Sequence, residues 1–160
     1  MPIYVNYDSL AIKGDVTESD HTNWIEVHSF QWGVGRGISS PTGASADRES
    51  SAPSVSEIVV TKDQDIASVG LCTAALQGDG VKVIVHFCRT NKDKMDVYLT
   101  FELENVMISG YSMSSGGDRP SESVSLNFTK IMLKGTQMSK DGKAAEPANI
   151  SYDLSTAVAS

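Results

Sequence analysis

The sequence predicts a mainly β fold, an antiparallel barrel or sandwich that carries one helix. Three observations predict it: several segments alternate apolar and polar residues with period two, one segment between them has helical spacing, and the alternating segments are short and separated by polar turns. The chain has 160 residues, of which 40% are hydrophobic. A chain of this length buries about 70% of its unfolded surface, so we expect a single domain over residues 1–160.

The first strands are expected before residue 63. Residues 3–7 (IYVNY) and 55–62 (VSEIVVTK) are rich in β-branched and aromatic residues. In residues 24–34 the apolar side chains from Ile25 onward occupy odd-numbered positions before His28 and even-numbered positions after it. One extra residue there, a β-bulge, would keep both apolar sets facing the core.

The helical segment is predicted over residues 66–77. Within it, Ile66, Val69, Thr73 and Leu76 form one stripe at helical spacing, the pattern of a helix that packs one face on a core. Asp65 is the expected N-cap, and Gly78 or Gly80 the expected stop.

Three further strand segments follow the helix. In residues 81–89 and 95–108 the apolar residues alternate, and in the second segment their parity changes after Asn105, which predicts another β-bulge. Residues 122–132 alternate again, and the side chains expected to share its apolar face are Val124, Leu126, Phe128 and Met132.

Two loops and a tail separate these elements. Residues 35–54 contain almost nothing apolar, and loops of this length are uncommon unless they are functional or disordered, so a flexible insertion and a docking arm both fit. Residues 112–123 join two strands and carry the charged pair Asp118 and Arg119. The polar tail over 135–160 either returns to the sheet or frays.

Composition excludes several classes of function. The net charge is −7 without a basic run, which argues against a nucleic-acid partner. No apolar stretch is long enough for a membrane span, and the first residues lack the pattern of a cleavable signal peptide, so neither is expected. Cys72 and Cys88 form no C-x-x-C pair; two buried free thiols are expected, and a single disulfide is the alternative.

No catalytic, cofactor or metal site can be assembled from motifs. The sequence lacks a G-x-S-x-G elbow, an H-E-x-x-H pair and a P-loop lysine. The histidines His21, His28 and His86 do not occur at metal-ligand spacing, and His28 and His86 fit surface or hydrogen-bonded sheet positions. We therefore expect a binding or assembly protein and not an enzyme.

Several segments resemble the haemolysin-coregulated proteins (Hcp) of bacterial type VI secretion. Residues 24–33 (WIEVHSFQWG) are similar to the family's W-I-E-V-x-S-x-x-W-G signature. Residues 54–68 are similar to its strand and helix entry, and residues 115–131 (SGGDRPSESVSLNFTKI) to its G-G-x-D-R-P-x-E-x-V-x-L-x-F-x-K segment. The resemblance runs in order along essentially the whole chain.

The resemblance implies a fold and a set of partners. It implies a phage tail-tube-like β-barrel of two sheets with one flanking helix, six copies of which close into a ring. Rings stack into a tube inside a contractile sheath, carry a spike trimer at the tip and hold small effector proteins in the lumen. It implies no cofactor, and a protein made in the bacterial cytoplasm that is then secreted without a cleavable signal peptide.

The resemblance also assigns residues to two surfaces. The lumen-facing or effector-facing positions are expected to be Ser29, Gln31, Ser125 and Asn127. The positions expected in ring stacking or in subunit interfaces are Arg36, Gly37, Ile38, Ser39, Pro41, Arg48, Asp118, Arg119 and Glu122. The alternative to a tube subunit is a monomeric β-barrel that binds a small ligand or glycan in its interior.

Overall fold

Residues 1–39, 50–136 and 147–160 are described in the computed structural model. They form twelve strands and one helix. The bounds are β1 Ile3–Tyr7, β2 Ile25–Val27, β3 Ser29–Gln31, β4 Val34–Gly35, β5 Ser54–Val55, β6 Ile58–Asp63, α1 Ser68–Gln77, β7 Val81–Asn91, β8 Lys94–Ser114, β9 Ser121–Asn127, β10 Lys130–Gly135, β11 Ala148–Asp153 and β12 Val158–Ala159.

Ten of the strands form two antiparallel sheets that share β8, and β4 and β5 form a separate two-stranded ladder. The long sheet has the order β12-β11-β10-β8-β7-β1-β2, and the short sheet runs β3-β6-β9 and ends on the C-terminal part of β8. The apolar faces of both sheets contribute to one core, with Ile58, Val83 and Leu103 fully buried. The mainly β class is thus confirmed, although the sheets do not close into a barrel.

The bulge predicted after Asn105 lets β8 serve both sheets. Three residues of β7, from Val81 to Val83, lie opposite four of β8, from Val106 to Leu103, so β8 carries one extra residue. Asn105 has φ +54°, a left-handed conformation that asparagine tolerates better than most residues. The parity change keeps Leu103 and Val106 both buried.

The bulge predicted near His28 within one strand over residues 24–34 is wrong, because the chain leaves the long sheet for the short one at His28. β2 pairs with β1, whereas β3 pairs with β6. Residues 122–132 are likewise not one strand. They divide into β9 and β10, and the parity changes between them, so Ile131 is buried and the prediction that Met132 lies on the core face is wrong.

The helix is present, but the predicted core stripe is wrong. Ile66, Val69 and Leu76 are exposed by 70%, 78% and 82%, whereas Leu71 and the adjacent small residues are buried. The N-cap is Ala67 and not Asp65; the Asp65 carboxylate instead accepts a hydrogen bond from the Ala67 amide at 2.9 Å. The helix ends before Gly78, as predicted.

The tail returns to the sheet. β11 pairs with β10 along its whole length, and β12 pairs with β11. In the part of the chain that the structure describes, no helix has the length and apolar character needed to cross a membrane.

Candidate functional site

The outward surface of the short sheet, called the polar face below, carries the predicted lumen residues. Directly opposed residues of neighbouring antiparallel strands share a face. Two such rows run across the short sheet in the order β3, β6, β9 and β8. The first row consists of Ser29, Thr61, Ser123 and Ser112, and the next consists of Gln31, Val59, Ser125 and Gly110. Asn127 follows in the adjacent row, opposite Met107. The structure therefore brings Ser29, Gln31, Ser125 and Asn127 onto one surface.

Hydrogen bonds between side chains hold this surface in place. The hydroxyls of Ser29 and Thr61 lie 2.5 Å apart across β3 and β6. At the other end, the Glu57 carboxylate accepts from Asn127 Nδ2 at 3.0 Å and from Ser109 Oγ at 2.7 Å. These two bonds lower the pKa of Glu57.

The described flanks of the long loop form a narrow antiparallel ladder. β4 pairs with β5, and an isolated bridge joins Ile38 to Ser50. The Gly37 amide donates to Ser51 Oγ at 3.0 Å. Arg36, Gly37, Ile38 and Ser39 are all exposed on this ladder. Pro41 and Arg48 lie outside the described residues.

The turn between β8 and β9 carries the predicted charged pair. Arg119 Nε donates to the Gln64 carbonyl at 2.6 Å, and the Gln64 amide donates to the Pro120 carbonyl at 2.9 Å. Gly117 has φ +107°, which favours glycine at this position. Asp118 and Arg119 are exposed on a turn that is fixed to the end of β6.

Glu122 does not lie on that surface, so its predicted interface role is corrected here. It is 1% exposed, because it shares parity with the core residues of β9. Its carboxylate accepts from Lys62 Nζ at 2.5 Å and from the Tyr111 hydroxyl. Lys62 also donates to Asp65 Oδ1 at 2.8 Å. This buried network joins β6, β8 and β9 to the segment that leads into the helix.

The pKa of Glu122 is the result of opposing effects. Burial alone raises it, but the hydrogen bonds from Lys62, Tyr111 and Ser68 and the charge of Lys62 outweigh burial, and the pKa is lowered. The pKa of Tyr111 is raised by burial and by its bond to Glu122. The network therefore holds an ionised carboxylate and a neutral phenol.

A second cluster joins residues that are far apart in sequence. Glu18 Oε2 lies 2.5 Å from His21 Nδ1, His21 Nε2 lies 2.9 Å from His86 Nδ1, and Cys88 Sγ lies 3.8 Å from His21 Nε2. The rings of Tyr4 and Trp24 pack against the His21 ring. Sequence reasoning missed this contact because the histidines are separated by 65 positions and belong to no spacing motif.

This arrangement of thiol, imidazole and carboxylate does not favour nucleophilic catalysis. Cys88 is fully buried, and burial raises the pKa of its thiol to about 11, so little reactive thiolate forms at neutral pH. Burial and the nearby His21 lower the pKa of His86 to about 4. Both cysteines are free, and in the described part of the chain no cluster of His, Cys, Asp and Glu has the arrangement of a metal site.

The interior offers little room for a small ligand. Core side chains such as Val85, Leu103 and Val106 are fully buried between the sheets. An apolar groove beside the loop ladder, lined by residues such as Trp32 and Leu133, has a volume of about 160 Å³. Pockets for drug-sized ligands are usually about 300–1,000 Å³, so this groove by itself is too small to enclose one.

Comparisons with known proteins point to one family. A family model described as "Type VI secretion system effector, Hcp" matches residues 4–134. A solved structure described as that of a type six secretion system protein is similar at 27% identity and a TM-score of 0.90, over 99% of each chain. A type VI secretion effector from Yersinia pestis has 24% identity and a TM-score of 0.72, over 94% of this chain and 98% of that one.

A further structure, Hcp1 from Salmonella typhimurium, shares the fold. It has 20% identity and a TM-score of 0.73, over 99% of this chain and 98% of that one. A comparison with curated protein sequences gave no match.

Proposed function

Because this chain belongs to the Hcp family of type VI secretion proteins, we propose that it is a structural subunit of the secretion system's inner tube. Six copies close into a ring, rings stack and are exported, and the lumen carries small effector proteins. The other partners are the contractile sheath and the spike trimer. The chain acts by assembly and not by catalysis, and it passes from the bacterial cytoplasm to the outside.

The observation that carries this proposal is the short sheet, whose two outer strands have no strand partner on one side within the described residues. β3 has a strand neighbour on one side, and so does the C-terminal half of β8. An exposed strand edge presents unpaired amides and carbonyls, which natural proteins cover or pair. Pairing β3 of one copy with β8 of the next satisfies both edges and generates a heterologous contact of the kind that closes rings.

The dimensions of such a ring are reasonable for a carrier. Each copy contributes four strands to the short sheet. With strands about 4.8 Å apart, six copies give a circumference of about 115 Å and a lumen on the order of 35 Å across. The polar face, which includes Ser29, Gln31, Ser125 and Asn127, then lines this lumen.

Stacking needs specific contacts because the rings repel each other. Six copies at −7 each give a ring charge of −42. The exposed loop ladder and the turn at Asp118 and Arg119 provide polar, charged and apolar groups for such contacts, and Ile38 is 45% exposed there.

Size-exclusion chromatography with light scattering tests the ring. Six chains of 17.1 kDa predict a particle of about 103 kDa. A strictly monomeric particle at micromolar concentration would contradict the proposal, because each interface must bury over about 1,000 Å² to persist in solution.

A further inference from the structure

We propose that Glu57 is a docking point for a lysine or arginine side chain of a cargo protein on the polar face. The inference rests on the proposed function, because it takes the polar face to line the lumen. It adds the chemical class of the partner: a small protein whose contact surface is basic.

The backbone register places the Glu57 carboxylate on this face. Ile58 pairs with Leu126, so Glu57 lies across from Asn127, and Gln31 pairs with Val59 two residues further along. The second partner, Ser109, is the extra residue of a β-bulge in β8, where Ile108 pairs with Leu126 and Gly110 with Ser125. Because of the bulge, the Ser109 hydroxyl reaches both the carboxylate of Glu57 and the Ser125 carbonyl.

The carboxylate is charged, oriented and still available. Its two partners in the described chain are neutral donors, one on each oxygen, and no cation pairs with it there. Each carboxylate oxygen has a further lone pair, so both can accept from a guanidinium or an ammonium group. The same two bonds lower the pKa of Glu57, so the charge is present at neutral pH.

The surroundings select a long basic side chain over a simple cation. Met107 lies opposite Asn127 and is 49% exposed, which places an apolar surface beside the carboxylate. Lysine and arginine bury their aliphatic stems on such surfaces while the charged end reaches an acceptor. The central rows of the polar face consist of neutral residues, namely Ser, Thr, Gln, Val and Gly, so the charge of Glu57 borders a neutral part of this face.

A ring of six copies presents six Glu57 carboxylates. A single exposed ion pair contributes only about 0.2–1 kcal/mol, but several contacts of one cargo protein with one ring add through effective concentration. Recognition through Glu57 is therefore expected to depend strongly on the number of basic groups and on salt.

The test uses the purified full-length protein and a pair of defined peptides. One is a fluorescein-labelled glycine-serine peptide with three arginines, and its partner carries citrulline, a neutral analogue of arginine, at the same positions. Binding is followed by fluorescence anisotropy at low ionic strength and again at about 0.5 M salt. The variant is Glu57→Gln, and the matched control is Glu104→Gln, which removes one exposed carboxylate per chain from the long sheet.

We expect the arginine peptide, and not the citrulline peptide, to bind the wild-type protein, and Glu57→Gln to weaken binding at least about fivefold. Glu104→Gln should retain wild-type affinity. Equal affinity of wild type and Glu57→Gln, or an equal loss in Glu104→Gln, would overturn the docking point. Light scattering on the same samples distinguishes the two failures: a monomer would refute the proposed function and with it a docking point in the lumen, whereas a ring of six in which wild type and Glu57→Gln bind equally would refute the docking point alone.

Discussion

At the residue scale, the buried ion pair between Lys62 and Glu122 is the most demanding contact in the core. Both side chains are almost fully buried, and the three donors of Lys62 reach Glu122, Asp65 and the Asp63 carbonyl. Removing one partner of such a pair leaves an uncompensated charge in a medium that solvates it poorly.

We predict that Lys62→Met lowers the free energy of unfolding by about 3–5 kcal/mol because Glu122 loses its counter-charge. The matched control is Lys82→Met, which removes an exposed ion pair. Lys82 Nζ lies 3.9 Å from Glu102 Oε2, and the Lys82 side chain is 53% exposed. This exposed pair should contribute under about 1 kcal/mol. Urea unfolding measures both, and equal losses would contradict the role of burial.

His86 predicts a pH dependence of stability. Its pKa is about 4 in the folded chain, owing to burial and to His21, whereas an unfolded histidine titrates near about 6.5. Between these values the unfolded chain binds more protons, so stability falls as the pH drops through this window and levels off below about 4. The expected loss is on the order of 3 kcal/mol, from a difference of about 2.5 pKa units at about 1.36 kcal/mol each.

Urea unfolding of His86→Gln between pH 7 and pH 4 checks this expectation. The variant should show a shallower decline than wild type, whereas His28→Gln, which removes an exposed histidine, should keep the wild-type slope. Identical slopes for wild type and His86→Gln would show that another group causes the decline.

Alternation along the strands predicts which side chains share a face, and the structure does put Ser29, Gln31, Ser125 and Asn127 on one face of the short sheet. That this face lines a lumen was implied by the family resemblance and stays a proposal. Applied to Glu122, the same rule puts its carboxylate inward with Val124, and it puts Lys62 inward with Val60. What alternation cannot supply is the register that sets these two charges opposite each other, or the contact between His21 and His86, because both depend on strands distant in sequence.

At the scale of elements, the helix shows the limit of periodicity. Its buried side consists of small residues and Leu71, and its larger apolar side chains are exposed. The orientation follows from the entry turn, where Ser68 Oγ accepts from the Asp65 amide and Asp65 accepts from Lys62. An apolar stripe alone gives the wrong face because it contains no information on this tether.

A matched pair of serine substitutions tests the orientation of the helix. Leu71→Ser should destabilise the chain by about 3 kcal/mol or more, because Leu71 is 4% exposed. Leu76→Ser, in the same helix, should stay within about 0.5 kcal/mol of wild type. Thermal and urea unfolding measure both, and a larger loss for Leu76→Ser would reverse the assignment of faces.

The long loop is the element whose role is proposed from its exposed flanks. Replacing residues 38–50 with a short Gly-Ser linker should leave ring mass unchanged while reducing tube stacking and secretion, because the ring contacts lie in the sheets. Light scattering reports the mass, and the amount of protein in the culture supernatant reports secretion. Unchanged secretion would count against docking by the loop.

Strands were the best-predicted elements because period two is a local property. The change of parity at Asn105 located a bulge within one residue. The change at His28 was interpreted as a second bulge, but it marks a step between sheets, which parity alone does not distinguish from a bulge. The division of residues 122–132 into β9 and β10 was missed, because Phe128 is buried and continues the alternation of β9 up to the break.

At the scale of the whole molecule, the chain combines features that an isolated domain seldom needs. Its described residues include a sheet with two unpaired edges, a mostly polar outward face and an exposed loop ladder, and the net charge of the chain is −7. Ring closure would give each feature a function. The edges would pair between copies, the polar face would line the lumen, and the loop ladder would contact the next ring, while the negative charge would make stacking depend on specific contacts. The sequence alone predicted the class of fold but not which strands form the open edges, since that depends on how β8 is shared between sheets.

Negative-stain imaging of the purified protein shows directly whether six copies close into a ring through the short sheet. We expect six-fold rings with a central hole on the order of 35 Å across. Fields of small particles of single-chain size, without a central hole, would contradict this expectation.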